Sequence, residues 1–121
     1  MAIKRFEDII AWQKAQDLAT QIYVIFGLSR DFGFKDQITR AAISISNNIA
    51  EGFDRSSDAD FSRFLYFALG SCSEVRFMLY LSERLNYLTS EKRNEIIEHT
   101  NEVSKIIAGL TKSLSRKQAN A

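Results

Sequence analysis

An all-α fold, an antiparallel up-down-up-down bundle of four helices, follows from three features of this 121-residue sequence. Proline is absent and only five glycines occur, so the chain lacks the punctuation that sheets and loop-rich folds need. Apolar residues recur at alternating spacings of three and four in four separate stretches, the mark of a helix with one buried stripe. The breaks between stretches are short, which makes consecutive helices antiparallel neighbours. Residues 1–114 read as one domain able to bury a core without staples, and residues 115–121, without an apolar anchor, as a disordered tail.

The first helix follows Phe6-Glu-Asp, whose acids suit the positive end of a helix dipole. Trp12, Ala15, Ala19, Ile22 and Phe26 form its seam, widened by Leu18 and Ile25, while Lys14, Asp17 and Gln21 keep the other side wet. Ser29-Arg-Asp-Phe-Gly33 reads as the first connection, with Gly33 as its turn residue. A second helix from Phe34 or Lys35 to Arg55 carries a stripe of Ile38, Ala41/Ala42, Ile45 and Ile49, small enough for close approach by a neighbour. Ser57-x-x-Asp60 has the form of a capping box opening the third helix, which runs to about Asn86. Thr89 or Ser90 then caps a fourth, whose Ile96, Thr100, Val103, Ile107, Leu110 and Leu114 face inward while Glu95, Glu98, Glu102 and Lys105 face water.

The third helix is too apolar for one face. Phe61, Phe64, Leu65, Ala68, Cys72, Val75 and Leu79 make the expected core stripe, yet apolar side chains flank it on both sides. Tyr66, Phe67, Phe77, Met78, Tyr80 and Leu81 are therefore assigned to an oligomer interface, since a small bundle cannot cover every face of such a helix. Gly70-Ser-Cys-Ser73 reads as a flat spot where another helix backbone comes close.

Little in the chain points to a reaction. Basic and acidic residues number 16 and 15, so no global charge draws the protein to nucleic acid or anionic lipid. Cys72, the single cysteine, excludes an internal disulfide and fits a reducing, cytoplasmic setting; its apolar stripe marks it as a core filler rather than a nucleophile. No signal-peptide pattern opens the sequence, and Glu74 and Arg76 interrupt the one run approaching transmembrane length. His99 is the only histidine; Glu95 and Glu102 share its side of the fourth helix, but a di-iron bundle needs Glu-x-x-His on two helices, and Ile96 stands at the required position. No phosphate-binding glycine loop or nucleophile elbow is present. No catalytic residue, cofactor or metal is therefore expected.

Two polar features remain. Arg40, Ser44, Asn47, Glu51 and Arg55 form a row on the second helix with Asn48 beside it, suited to fixing register between helices or subunits, or to holding an acidic partner. Lys105, Lys112, Arg116 and Lys117 meet no acid after Glu102, which complements a helix C-terminus and, repeated around an assembly, would act on a polyanion. Arg40, Asn48, Glu51, Arg55, Arg63, Lys112, Arg116 and Lys117 are accordingly the candidate polyanion or partner surface.

Phe6-Glu-Asp-Ile-Ile-Ala-Trp-Gln-Lys-Ala, Arg40-Ala-Ala-Ile-Ser-Ile-Ser-Asn-Asn-Ile-Ala-Glu-Gly52 and Phe61-x-Arg-Phe-Leu-Tyr-x-Ala-Leu-Gly-Ser-x-x-Glu74 resemble the bacterial four-helix bundle proteins encoded in large-subunit ribosomal RNA intervening sequences. The likeness runs from Phe6 to about Leu114. It implies a cytoplasmic homopentamer of undefined role without enzymatic activity. A related branch, the accessory variability determinant of diversity-generating retroelements, implies contact with a reverse transcriptase and nucleic acid, although its members are more basic than this chain. Ser46 departs from the family pattern, where many members have proline, and implies a straighter second helix. The combined expectation is a non-enzymatic homo-oligomer associated with RNA or DNA, with a protein adaptor as the alternative and no membrane partner.

Overall fold

The structure, a computed structural model, describes residues 3–119. A single 3₁₀ turn at Phe6–Asp8 leads into four helices among the described residues: α1 (Ile10–Phe26), α2 (Phe32–Phe53), α3 (Asp58–Arg84) and α4 (Ser90–Ala119). Each packs against the next in the chain, most extensively α2 on α3, and the contact of α1 with α4 closes the bundle. The anticipated architecture is therefore the observed one. Leu18, Ile22, Ile38, Ile45, Ile49, Leu65, Leu79, Ile96 and Ile107, all fully buried, form its centre.

The helix starts differ from the sequence expectation in instructive ways. Glu7 and Asp8 belong to the separate 3₁₀ turn rather than to α1, whose N-cap is Ile9, a residue with no capping side chain. Gln13 Nε2 donates to the Glu7 carbonyl at 2.9 Å, which ties the first turn of α1 to the 3₁₀ turn. Gly33 is no turn residue but lies in the first turn of α2, because Asp31 takes the N-cap and accepts from the Phe34 amide at 3.1 Å. Ser57 caps α3 as expected, accepting from the Asp60 amide at 3.1 Å, while the Asp60 carboxylate turns to Arg63 at 3.6 Å. Thr89 caps α4 through the Lys92 amide at 3.1 Å. That last helix continues past Leu114 to Ala119, so residues 115–119 are helical where a tail was expected; residues 120 and 121 lie outside the described part.

The α3–α4 turn is closed by Asn86, whose φ of 62° places it in the left-handed region that asparagine tolerates better than most residues. The Tyr87 amide reaches back to the Ser82 carbonyl at 2.8 Å and the Asn86 amide to the Glu83 carbonyl at 2.9 Å, ending the helix in a Schellman arrangement. Tyr87 is thereby aimed across the bundle end: its ring meets Phe34 edge-on at 5.4 Å, and its hydroxyl donates to Asp31 Oδ2 at 2.6 Å. The Tyr87 hydroxyl, followed by the Phe34 amide, holds the Asp31 carboxyl below the usual carboxylate range, and the same contact raises the Tyr87 phenol. A lowered carboxyl contributes stability above its unfolded value and loses it as pH falls through the folded one. The contact should thus weaken in acid, and Tyr87→Phe should flatten the acid limb of a stability-versus-pH curve while leaving neutral-pH helicity intact. An unchanged acid limb in that variant would show that the hydrogen bond contributes nothing.

Gly52 explains why the second and third helices approach so closely. A Cβ built there would stand 2.6 Å from the Phe64 Cβ and 3.1 Å from the Phe61 ring, so only hydrogen fits. Ser46 is fully buried in an unbroken α2; it donates to the Ile43 carbonyl at 3.2 Å and accepts from Gln16 Nε2 at 2.9 Å, tying α2 to α1.

Candidate interaction surfaces

Cys72 is fully buried, and burial raises its thiol pKa despite Ser104 and Arg76 nearby, so it is a filler between helices. His99 Nδ1 lies 2.8 Å from Gln21 Oε1, bridging α4 to α1. Its neighbouring carboxylates are turned to lysines, Glu95 to Lys92 at 3.0 Å and Glu102 to Lys14 at 3.1 Å. Among the described residues, no three His, Cys, Asp or Glu side chains gather where they could hold a metal ion.

The outer side of α3 is the larger feature. Tyr66 and Phe77 are 65% and 64% exposed, with Phe67, Tyr80 and Leu81 nearly half exposed. Met78 is a correction: it is only 8% exposed and packs into the chain's own core, because α3 presents it toward the bundle, beyond the edge of the stripe read from the sequence. Between Tyr66 and Phe77 lies Gly70, where an added Cβ would meet nothing within 4 Å. Arg63 lies against the rings of Phe64 and Phe67 at 5.1 and 5.7 Å, and Arg93 covers the Tyr80 ring at 4.9 Å. Such stacked guanidiniums are attracted to the ring faces; Phe64 is itself buried, while Phe67 and Tyr80 stay nearly half exposed.

A second apolar surface, which the sequence reading missed, lies on α1 and the start of α2. Val24, Leu28 and Phe32 are 76%, 98% and 72% exposed, and Tyr23 stands beside them. A hollow of about 310 Å³ between α1 and α2 has Ala19, Ser46 and Ile43 in its walls. Another of about 590 Å³ is bounded by Phe32, Gly33 and Thr39. Tyr23 lines both. The signal was present in the four-residue spacing of Val24, Leu28 and Phe32, but these residues run off the end of one helix into the next.

The candidate polar surface divides. Antiparallel order puts the C-termini of α2 and α4 and the N-terminus of α3 at one end, which gathers Arg55, Arg63, Lys112, Arg116 and Lys117 there. Arg40 does not join them; fifteen positions before Arg55, or about 22 Å along the helix, it pairs with Asp36 at 2.9 Å. Asn48 is occupied within its own helix, donating to the Ser44 carbonyl at 2.8 Å and hydroxyl at 3.0 Å, and Ser71 donates to the same hydroxyl at 3.0 Å. At the gathered end Arg55 pairs with Glu51 at 3.0 Å and Lys117 with Asp58 at 3.4 Å. Arg55 also sits 4.7 Å over the Phe64 ring. A groove of about 340 Å³ opens between the α2–α3 connection and α4, with Phe61 and Leu114 in its walls and Arg55 and Lys117 on its rim.

A family model described as 23S rRNA-intervening sequence protein matches residues 7–109. The chain belongs to that family. Its fold is similar to a crystal structure of a protein of unknown function from the S23 ribosomal protein family of Bacteroides thetaiotaomicron, with 29% identity and a TM-score of 0.79 over 85% of this chain and 99% of that one. A comparison with curated proteins gave no match. For this member of the 23S rRNA-intervening sequence family the resemblance drawn from the Asn-Ile-Ala-Glu-Gly52 and Gly70-Ser-x-x-Glu74 segments therefore holds, and with it the four-helix fold. Among the described residues no helix is long and apolar enough to cross a membrane.

Proposed function

We propose that this protein is a non-enzymatic, self-associating helical module of the cytoplasm that acts through its surfaces, its assembled basic ends engaging RNA. The observation that carries the reading is the outer side of α3, where Tyr66 and Phe77 stand exposed around an open glycine, with Tyr80 and Leu81 beside them. Isolated apolar side chains on a surface are ordinary, but several on one helix side mark a contact. The homopentamer implied by the family resemblance is one assembly that would cover this side. Phe77→Asp and Tyr66→Asp should shift the protein to monomer with helicity retained, read by light scattering coupled to size exclusion. A wild-type monomer at micromolar concentration would remove the self-association.

RNA engagement rests on the end of the bundle toward which Lys112, Arg116, Lys117, Arg55 and Arg63 all lie. No groove-reading motif is present, so phosphate contacts would dominate, with steep salt dependence and little sequence preference. Charge reversal at Lys112, Arg116 and Lys117 together should weaken fluorescence-anisotropy binding of labelled RNA far more than any single change, because repeated sites act together. The Glu51, Asp58 and Asp60 pairings at the same end offset part of the positive charge and favour a second reading, a protein adaptor. Failure of wild-type protein to bind RNA at low salt would select that reading.

A further inference from the structure

We infer that two copies of this chain pair through the outer sides of their α4 helices, antiparallel about a twofold axis, the acidic half of each helix lying along the basic half of the other. The pairing uses a different helix from the α3 contact proposed above and does not rest on it. Its basis is a second stripe on α4, turned away from the core. Glu91, Glu95, Glu98 and Glu102, then Lys105, Gly109, Lys112 and Arg116, follow one another at alternating steps of four and three, and all eight are exposed. That spacing makes one continuous seam along a helix. Its first half is wholly acidic, and its second carries three cations and a glycine.

Helix-dipole complementarity does not account for this order. The dipole acts within the first and last turns, whereas Glu98, Glu102 and Lys105 lie in the middle of a helix running from Ser90 to Ala119. Within the chain the arrangement is unfavourable. Glu91 and Glu95, Glu98 and Glu102, and Lys112 and Arg116 are like charges four positions apart, and so neighbours on one face. Lys92 relieves Glu95 at 3.0 Å and Lys14 relieves Glu102 at 3.1 Å, yet both glutamate side chains stay more than half exposed. Among the described residues, Glu91, Glu98, Lys105, Lys112 and Arg116 make no ion pair within the chain.

A second copy, run antiparallel, supplies the missing partners in a single register centred between Val103 and Ser104. Glu91 then faces Arg116, Glu95 faces Lys112 and Glu102 faces Lys105, each pair occurring twice by symmetry. Glu98 faces Gly109, where an added Cβ would meet nothing within 4 Å, so the helices can approach most closely there. A shallow hollow of about 440 Å³ lined by Glu98, Asn101, Glu102, Lys105 and Ile106 lies at the centre and leaves room for bridging water. Parallel pairing would set acid on acid. A foreign helix would need this charge order reversed, which a second copy already presents. The contact is isologous, so it closes at two copies. Exposed ion pairs are individually weak and screened by salt, which makes the pairing salt-sensitive.

The test uses the chain carrying Tyr66→Asp and Phe77→Asp, which take away the α3 contact, at about 10 mM and about 1 M salt, where charges are screened over about 30 and 3 Å. By sedimentation equilibrium its mass should double at the lower salt. Glu91→Lys with Glu95→Lys, and separately Lys112→Glu with Arg116→Glu, should each abolish the doubling with circular dichroism unchanged, since each sets like charges together. An equimolar mixture of the two should double again, and so should one chain carrying all four changes, because both restore opposite charges at the same positions. Should either double variant lose helicity, Glu102→Lys and Lys105→Glu, which face each other across the centre, make the same cycle. A parent chain whose mass does not rise at low salt overturns the pairing. So does a reversed chain that still doubles, or a mixture that does not. Each of those results leaves the α3 contact untouched. A high-salt mass above that of one chain counts against the α3 assignment alone, and the rise on lowering salt still reads the α4 pairing.

Discussion

Leu79→Ala should lower the stability of the folded bundle by about 2–5 kcal/mol, the range for emptying a buried leucine site. Leu79 has no exposed surface and sits on the inward stripe of α3 with Leu65, Ala68 and Val75. It belongs to a core cluster drawn from all four helices, so the vacated volume collapses only in part. Urea unfolding at fixed protein concentration is the measurement, with the midpoint falling and the slope retained. Two positions away, Phe77→Asp should barely move that midpoint in the monomer, because the ring is exposed. Equal losses in the two variants would contradict the division of α3 into an inward and an outward side.

The second large effect is expected at Gly52. Alanine is ordinarily the better helix residue by about 1 kcal/mol. Here its methyl would stand 2.6 Å from the Phe64 Cβ, an atom fixed to the α3 backbone that cannot swing aside as a ring can. The helices must part, and overpacking of that kind costs about 1–3 kcal/mol. Gly52→Ala should therefore destabilise, whereas Gly70→Ala, which meets nothing within 4 Å, should stabilise the monomer. Calorimetry of both at one concentration, in the Phe77→Asp background to exclude assembly, gives the comparison. A stabilised Gly52→Ala would mean that α2 and α3 part without cost.

The contrast between these glycines shows where a sequence speaks and where it does not. The inward stripes were readable because burial and period coincide: Ile38, Ala42, Ile45 and Ile49 on α2 are all fully buried. Ser57 was readable as a cap because it precedes a polar first turn with the right spacing, whereas the cap of α4 was left between Thr89 and Ser90 and falls to Thr89. Asp31-Phe-Gly33 misled because Asp and Gly serve turns and helix starts alike; Asp31 caps α2 through the Phe34 amide, and the Tyr87 hydroxyl, fifty-six positions away, holds its other carboxylate oxygen. Period alone could not settle Met78 either, at the border of the α3 stripe, where the depth of its neighbours decides. The candidate polar surface combined the Arg40-to-Arg55 row with the C-terminal basic residues, yet of that row's arginines only Arg55 reaches their end of the bundle; Arg40 pairs with Asp36 about 22 Å away. The hollows beside Tyr23 were out of reach, since they exist only between two helices.

The four helices meet in chain order, and the return contact of α1 with α4 is the slimmest of the seams. Polar links across it include Lys14 to Glu102 at 3.1 Å and Gln21 to His99 at 2.8 Å. Contacts between sequence neighbours form early because little chain must be looped to reach them, and a proline-free chain has no slow prolyl isomerisation to await. Refolding should accordingly be fast, with α1 swinging shut against α4 as its last event. The same hinge opens first in the native state: amide hydrogens of α1 should exchange with solvent ahead of those at the α2–α3 interface.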